Sequence, residues 1–196
     1  MTAITLNIIV QGVLTGLVYG LMALGLSVIF GVMRVVNFAH GEFTVVAMYA
    51  AFLLFEMLHI SPLLSLLPIA LAFFVIGYAL QRTLIDPFVS RAEHEQFILL
   101  VGLATVVVNG LLLIFGPDAR PINLPYSFDS YDIGPLFLDK VRVFAALGSL
   151  AICAALFLFF RYTRTGTAIR ACADNLTGAG VVGLNVQQLY AVTFGL

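Results

Sequence analysis

Charge is what this sequence has least of. Aspartate, glutamate, lysine and arginine make up 10% of its 196 residues, and lysine occurs once, at Lys140. Soluble domains carry roughly 25% charged residues, so this chain has too few to cover a water-facing surface. The shortage of cations also excludes a nucleic-acid surface. The two cysteines, Cys153 in an apolar run and Cys172 in a polar loop, are placed unfavourably for a disulfide. No positive charge precedes Arg34, and the leading apolar stretch is too long for a signal-peptide core. Reactive motifs are missing as well. There is no G-x-x-x-x-G-K-[ST] phosphate loop, no H-E-x-x-H and no G-x-S-x-G. "HGE" at 40–42 matches half of a zinc deaminase signature, but the P-C-x-x-C half is absent. The expectation is a chain with no catalytic residues, no metal ligands and no cofactor of its own.

What the sequence has is apolar length. It is 62% hydrophobic, with a mean hydropathy of +1.10. Uniformly apolar runs long enough to cross a bilayer as helices fall at roughly 8–33, 38–55, 63–81, 97–116 and 141–160. A sixth begins near Leu189 and is cut off at Leu196. The predicted fold is therefore an all-α polytopic membrane protein of about five complete transmembrane helices plus the start of a sixth. It is read as one transmembrane domain over 1–196, truncated at its C-terminus, with the lipid bilayer as its principal partner.

Orientation follows from the arginines. The loop "RYTRTGTAIR" at 161–170 holds Arg161, Arg164 and Arg170, which makes it cytoplasmic. Counting back puts 82–96 and Arg34 inside, and 117–140, 56–62 and the N-terminus outside. The inside segments then carry six arginines, Arg34, Arg82, Arg91, Arg161, Arg164 and Arg170, against Arg120, Lys140 and Arg142 outside. On this topology the "NLT" at 175–177 is a glycosylation sequon by spelling only.

Three stretches carry polar groups that an oily chain would not place idly. The run from Ile8 to Met33 would be about 39 Å long as a helix, against about 30 Å of hydrocarbon, so it tilts or breaks. Within it Gly12, Gly16 and Gly20 share a face open to close backbone approach, beside a stripe of Gln11, Thr15 and Tyr19. These two stripes suit either helix packing or the lining of a polar path.

The second stretch, "GVMRVVNFAHGEF" at 31–43, carries Arg34, Asn37, His40 and Glu42. In one geometry Asn37 caps a helix starting at Phe38, accepting from an amide near His40, and Glu42 pairs with Arg34 or His40. In the other, the helix start faces a cavity, as broken helices do in transporters. The third, 161–185, has Thr165 or Thr167 as candidate caps for a short helix to about Gly178. Small residues at Ala168, Ala171, Ala173 and Ala179 admit a neighbouring surface, Arg170 and Asp174 stand at pairing distance, and Gly178, Gly180 and Gly183 end the helix. The outer loop 117–140, with four prolines and four aspartates, is too polar for lipid and too proline-rich for one helix. It reads equally as a platform for a soluble partner or a connector.

"GLVYGLMALGLSVIFGVMRVVNFAHGEF" at 16–43 closely resembles the opening of permease subunits of branched-chain amino acid ABC transporters, in particular the smaller, H-type paralogue. "TRTGTAIRACADNLTGAGVVGLN" at 163–185 resembles the ATPase-coupling loop of the same family, matching at Gly166, Arg170, Ala171, Asn175, Ala179, Gly183 and Asn185. Thr177 and Gly178 stand where members often carry a bulkier or acidic residue. The resemblance covers essentially the whole chain and about the first two-thirds of such a permease. It implies a bacterial inner-membrane importer of two homologous permeases, two cytoplasmic ATP-binding subunits that use ATP and magnesium, and a periplasmic amino-acid-binding protein. It implies that Asn37, His40 and Glu42 belong to the transport path or gate, to which the polar stripe adds Gln11 and Thr15 as candidates. It places Arg164, Gly166, Arg170, Ala171, Asp174, Asn175 and Gly183 in ATPase coupling. Other readings are a urea or short-chain amide permease of the same family, an ion-coupled carrier or channel with His40 and Glu42 as proton relay, and a membrane enzyme completed by further chain.

Overall fold

A computed structural model describes residues 2–89, 91–122, 129–134 and 136–196. Helices dominate, in the order α1 (Thr2–Met33), α2 (His40–Leu58), α3 (Pro62–Leu80), a π-turn (Gln81–Ile85), α4 (Asp86–Val89), α5 (Glu93–Phe115), α6 (Lys140–Tyr162), α7 (Arg164–Asp174), α8 (Leu176–Val181) and α9 (Val186–Gly195). Strands β1 (Ser130–Ile133) and β2 (Leu136–Asp139) precede α6. Five stretches are long and apolar enough to span a membrane: Ile4–Met33, His40–Leu58, Pro62–Val89, His94–Phe115 and Lys140–Tyr162. Only 0% to 11% of each is buried within the chain. Their apolar side chains, such as Leu64, Leu113 and Ile114, therefore need lipid or another chain as solvent.

The chain divides into two compact units, Met1–Gly25 with Asn123–Gly166, and Leu26–Ile122 with Thr167–Leu196. In the first unit, β1 and β2 form an antiparallel hairpin with Ser130 opposite Asp139 and Ile133 opposite Leu136. Gly134 sits in its turn at φ 62°, a conformation that costs glycine little. Lys140 Nζ closes the hairpin base on Asp129 Oδ2 at 2.7 Å. Asp139 ends β2 and caps α6, accepting from the amides of Val141 at 2.9 Å and Arg142 at 3.4 Å. The loop expected over 117–140 thus contains a hairpin. Its segment 123–128 and Pro135 lie outside the described residues.

In the second unit the core lies where α9 packs on α3. Leu189, Tyr190, Ala191, Thr193 and Phe194 are all buried. The two backbones touch: a Cβ added at Gly77 would lie 2.9 Å from the Gly195 Cα, and one at Gly195 would lie 2.7 Å from the Phe74 carbonyl oxygen. Helices packed without a side chain between them gain dispersion contacts, which replace the hydrophobic drive that lipid removes. Elsewhere Tyr49 of α2 stacks on Phe115 at 4.2 Å, and Phe38 meets Phe97 edge-on at 4.8 Å.

The third span corrects the sequence reading. Expected to stop near residue 81, it continues through the π-turn to Val89, so most of the predicted inner loop 82–96 is helix. A proline ring inside a helix meets the carbonyl four residues back, and the widened turn over Gln81–Ile85 leads into Pro87. Arg82 and Asp86 pair across one turn at 3.8 Å. Gln81, fully buried, donates through Nε2 to Asp86 Oδ1 at 3.1 Å. The first run does not break either: α1 is continuous to Met33 and ends at Arg34, in the left-handed region at φ 57°. A Cβ added at Gly12, Gly16 or Gly20 would meet nothing within 4 Å, so the close approach expected there has no counterpart among the described residues.

Gly77→Val should force α3 and α9 apart and destabilise the second unit by about 1–3 kcal/mol. Unfolding midpoints in a denaturing-detergent titration check this, with Gly102→Val, at an open position on α5, as the control expected to change little.

Candidate transport and docking sites

The polar segment between α1 and α2 is built from the end of one helix and the start of the next. Arg34 closes α1 by donating its amide to the Phe30 carbonyl at 2.9 Å, and its side chain is exposed. Val35, Asn37 and Ala39 are buried while Val36 and Phe38 are exposed. Asn37 is 4% exposed. Its Oδ1 accepts from the Ala39 amide at 3.1 Å and its backbone carbonyl accepts from the His40 amide at 3.1 Å. Asn37 thus forms an Asx turn, and the helix begins at His40, two residues later than predicted. Ala39 holds the cap position with no side-chain cap bond. The reason is geometric: the asparagine oxygen reaches the amide two residues on, so a turn intervenes before helical bonding starts.

His40 and Glu42 sit half-buried in the first turn of α2, where a carboxylate faces the positive end of the helix dipole. The ion pairs among the described residues are Arg82–Asp86, Arg91–Glu95, Lys140–Asp129 and Arg142–Asp139. An Arg34–Glu42 pair, one of the two that geometry offered, is not among them.

Gln11 and Thr15 lie in the first unit, so the five residues expected on one path fall in two units. Gln11 is an anchor. Its Nε2 donates to the Phe137 carbonyl at 2.7 Å, and the Phe137 amide donates to Asn7 Oδ1 at 2.9 Å. One turn of α1, through Asn7 and Gln11, thereby satisfies both backbone groups of a β2 residue and serves as its missing neighbour strand. Arg142 Nη1 donates to Gln11 Oε1 at 3.2 Å, and Thr15 Oγ1 donates to the Gln11 carbonyl at 3.0 Å. Beside these contacts runs an open groove of about 700 Å³ along α1 from Asn7 to Tyr19, walled by Phe137 and Arg142. Sequence reasoning missed Asn7, Phe137 and Arg142. Asn7 continues the four-residue period of Gln11, Thr15 and Tyr19, which was the available signal.

The loop after α6 folds as two short helices. Thr163 caps α7: its Oγ1 accepts from the Gly166 amide at 2.9 Å and donates to the Phe159 carbonyl at 2.7 Å. The predicted caps, Thr165 and Thr167, lie inside the helix. Gly166 is buried against the end of α6, where an added Cβ would stand 2.3 Å from the Phe159 oxygen. Gly166, Ile169 and Cys172 form the buried stripe of α7, and burial pushes the Cys172 thiol above its ordinary pKa. Arg164, Arg170, Ala171 and Asp174 are exposed. Arg170 and Asp174 do not pair among the described residues, consistent with the weaker charge order. The helix ends at Asp174, short of the predicted Gly178. Asn175 restarts the chain as α8, accepting from the Gly178 amide at 2.8 Å. Gly178 and Gly180 therefore lie within α8, and the stop is Gly183 at φ 84°. Asn185 then caps α9 through the Gln188 amide at 3.1 Å. Of the small residues, Ala171 faces outward, Ala168 and Ala173 are half-buried, and Ala179 is buried.

Five apolar spans and an exposed two-helix loop define a membrane-spanning component. Residues 8–196 match the family model described as branched-chain amino acid transport system / permease component. The chain belongs to that family. It is 26% identical over 95% of its length to the high-affinity branched-chain amino acid transport system permease protein BraD of Pseudomonas aeruginosa. It is 28% identical over 94% of its length to the permease protein LivH of Salmonella typhimurium. The chain spans 64% of the length of each of these relatives. A probable permease protein LivH of Methanocaldococcus jannaschii is 23% identical over 86% of this chain and 55% of its own. No solved structure matches significantly.

Asn37→Ala should cost about 1 kcal/mol of stability, the net worth of a buried hydrogen bond. Asn37→Asp, which buries a charge in the same place, should cost more. The order of denaturing-detergent midpoints checks both. Cys172 should be alkylated slowly at neutral pH, because the raised pKa keeps it a thiol up to higher pH and the site is closed. Iodoacetamide labelling should accelerate sharply on unfolding, and fast labelling of the folded protein would contradict the buried placement.

Proposed function

We propose that this chain is a permease subunit of an ATP-driven importer for branched-chain amino acids in a bacterial inner membrane. It forms the translocation path with a second homologous permease, receives cargo from a periplasmic amino-acid-binding protein, and takes its energy from two cytoplasmic subunits that bind ATP and magnesium. The N-terminus and the hairpin face outward, as the six-to-three distribution of basic residues favours.

The observation that carries this reading is the α7–α8 loop. Its inner stripe, Gly166, Ile169 and Cys172, is buried within the chain, and Gly166 sits directly against the Phe159 backbone at the end of α6. Its outer side leaves Arg164, Arg170, Ala171, Asp174 and Asn175 exposed beside Leu176, Val181 and Val182, which are 48%, 83% and 75% exposed. Apolar residues at the water side of a membrane protein, rimmed by charge, suit a protein interface. A short helix seated by Gly166 transmits force from a docked ATPase as a rigid body. Asn37, His40 and Glu42 mark the start of a span and supply polar groups for the path or its gate.

Arg170→Glu in the full-length permease should reduce co-purification of the ATP-binding subunit by roughly tenfold, a loss of one charged interface contact, with membrane insertion unchanged. Leucine uptake should fall in parallel. Unchanged co-purification would remove the coupling role. Uptake of labelled leucine that depends on the gene and on ATP tests the whole reading: urea uptake instead would change the cargo, and ATP-independent uptake would point to a carrier.

A further inference from the structure

Resting on the import reading, we propose that the groove along the outer half of α1 is a recognition site for the cargo inside the permease itself. Its guanidinium, Arg142, reads the carboxylate of an aliphatic α-amino acid.

The groove's volume of about 700 Å³ lies within the range of small-molecule sites. Among the described residues its lining carries one charged side chain, the cation Arg142, with the Asp139 carboxylate beside it at 3.7 Å as a partial counter-charge. That favours a ligand with a carboxylate. The guanidinium is held from two sides. Nη1 donates to Gln11 Oε1 at 3.2 Å, and Nε lies 3.7 Å from Asp139 Oδ2. Both anchors are themselves fixed, Gln11 by the Phe137 carbonyl at 2.7 Å and Asp139 by the amides it caps. An arginine has five N–H donors in a planar fork, and among the described residues Nη2 makes no hydrogen bond, which leaves it for a carboxylate. Holding the fork in advance lowers the ordering cost of binding.

The rest of the lining completes a zwitterion's needs. Thr15 Oγ1 spends its proton on the Gln11 carbonyl, which leaves its lone pairs to accept from an ammonium group. Gly12 and Gly16 form the floor, and nothing lies within 4 Å of where their Cβ atoms would stand. Ile8 and Phe137 supply apolar walls. An aliphatic side chain rests on this floor with its charged end at Arg142, so the permease checks the cargo's charged end after any delivery step.

The test uses full-length permease assembled with its ATP-binding subunits in proteoliposomes, and a diazirine analogue of leucine as photoprobe. Labelling should map to the α1 segment 7–19, be displaced by excess leucine, and resist leucinol, which lacks the carboxylate. Arg142→Gln should reduce labelling by roughly tenfold or more, as loss of a charge-assisted contact implies, while ATP-binding subunits still co-purify. Arg142→Lys should rescue it partly, since it keeps the charge and loses the fork. Gly12→Leu should block labelling by filling the floor. Displacement by leucinol as efficient as by leucine, labelling unaffected by Arg142→Gln, displacement by anionic lipid instead of leucine, or label confined to other segments would each overturn the assignment. Leucine uptake in the same vesicles is scored separately: uptake without groove labelling sinks this site alone, whereas absent uptake sinks the import reading.

Discussion

Every backbone N–H and C=O in a bilayer has to find its partner inside the protein, because lipid offers none. Most of this chain answers by being helical. What remains are helix ends and one hairpin, and there the same device recurs: a short polar side chain bonds the backbone where helical bonding stops or starts. Asn37 does so before α2, Asp139 before α6, Thr163 before α7, Asn175 before α8 and Asn185 before α9. Asn7 and Gln11 extend the device sideways and act as a strand for Phe137. Polar residues in this chain are few because almost all the remaining backbone needs none.

That economy shapes the functional reading. A side chain already committed to backbone has little freedom to bind cargo, and this applies to Asn37 and to the amide nitrogen of Gln11. Groups that keep spare capacity include Arg142, held but not saturated, and the exposed charges of α7. One lies beside a groove and the others line a surface. Glycine serves both places by opposite means. At Gly166 and at the Gly77–Gly195 contact it lets backbones touch, and at Gly12 and Gly16 it leaves room.

Much of this was legible beforehand, for a physical reason. Apolar runs near the length of a bilayer are set by composition, so the five spans were placed to within a few residues at most ends. The third span overran because Arg82 and Asp86 look like loop charges when read singly, whereas in the helix they neutralise each other one turn apart. The hairpin was not legible: its four-residue strands are too short for a period to register, and its stability comes from Asn7 and Gln11, more than a hundred residues earlier. The cap of α7 was misplaced by two or four residues because three threonines compete within five positions, and the choice falls to Thr163, whose hydroxyl also meets the Phe159 carbonyl.

By itself the sequence determined that this protein lives in a membrane, where its five candidate spans lie, and that its family is that of permeases, since hydrophobic length and local motifs need no knowledge of neighbours. Only the tertiary structure decided which polar groups are spent and which are spare. Asn37 and Gln11 turned out to hydrogen-bond backbone groups, Gly166 to sit against the end of α6, and Arg142 to stand over a groove. Those outcomes depend on contacts between residues distant in the chain, and no local pattern of polarity encodes them.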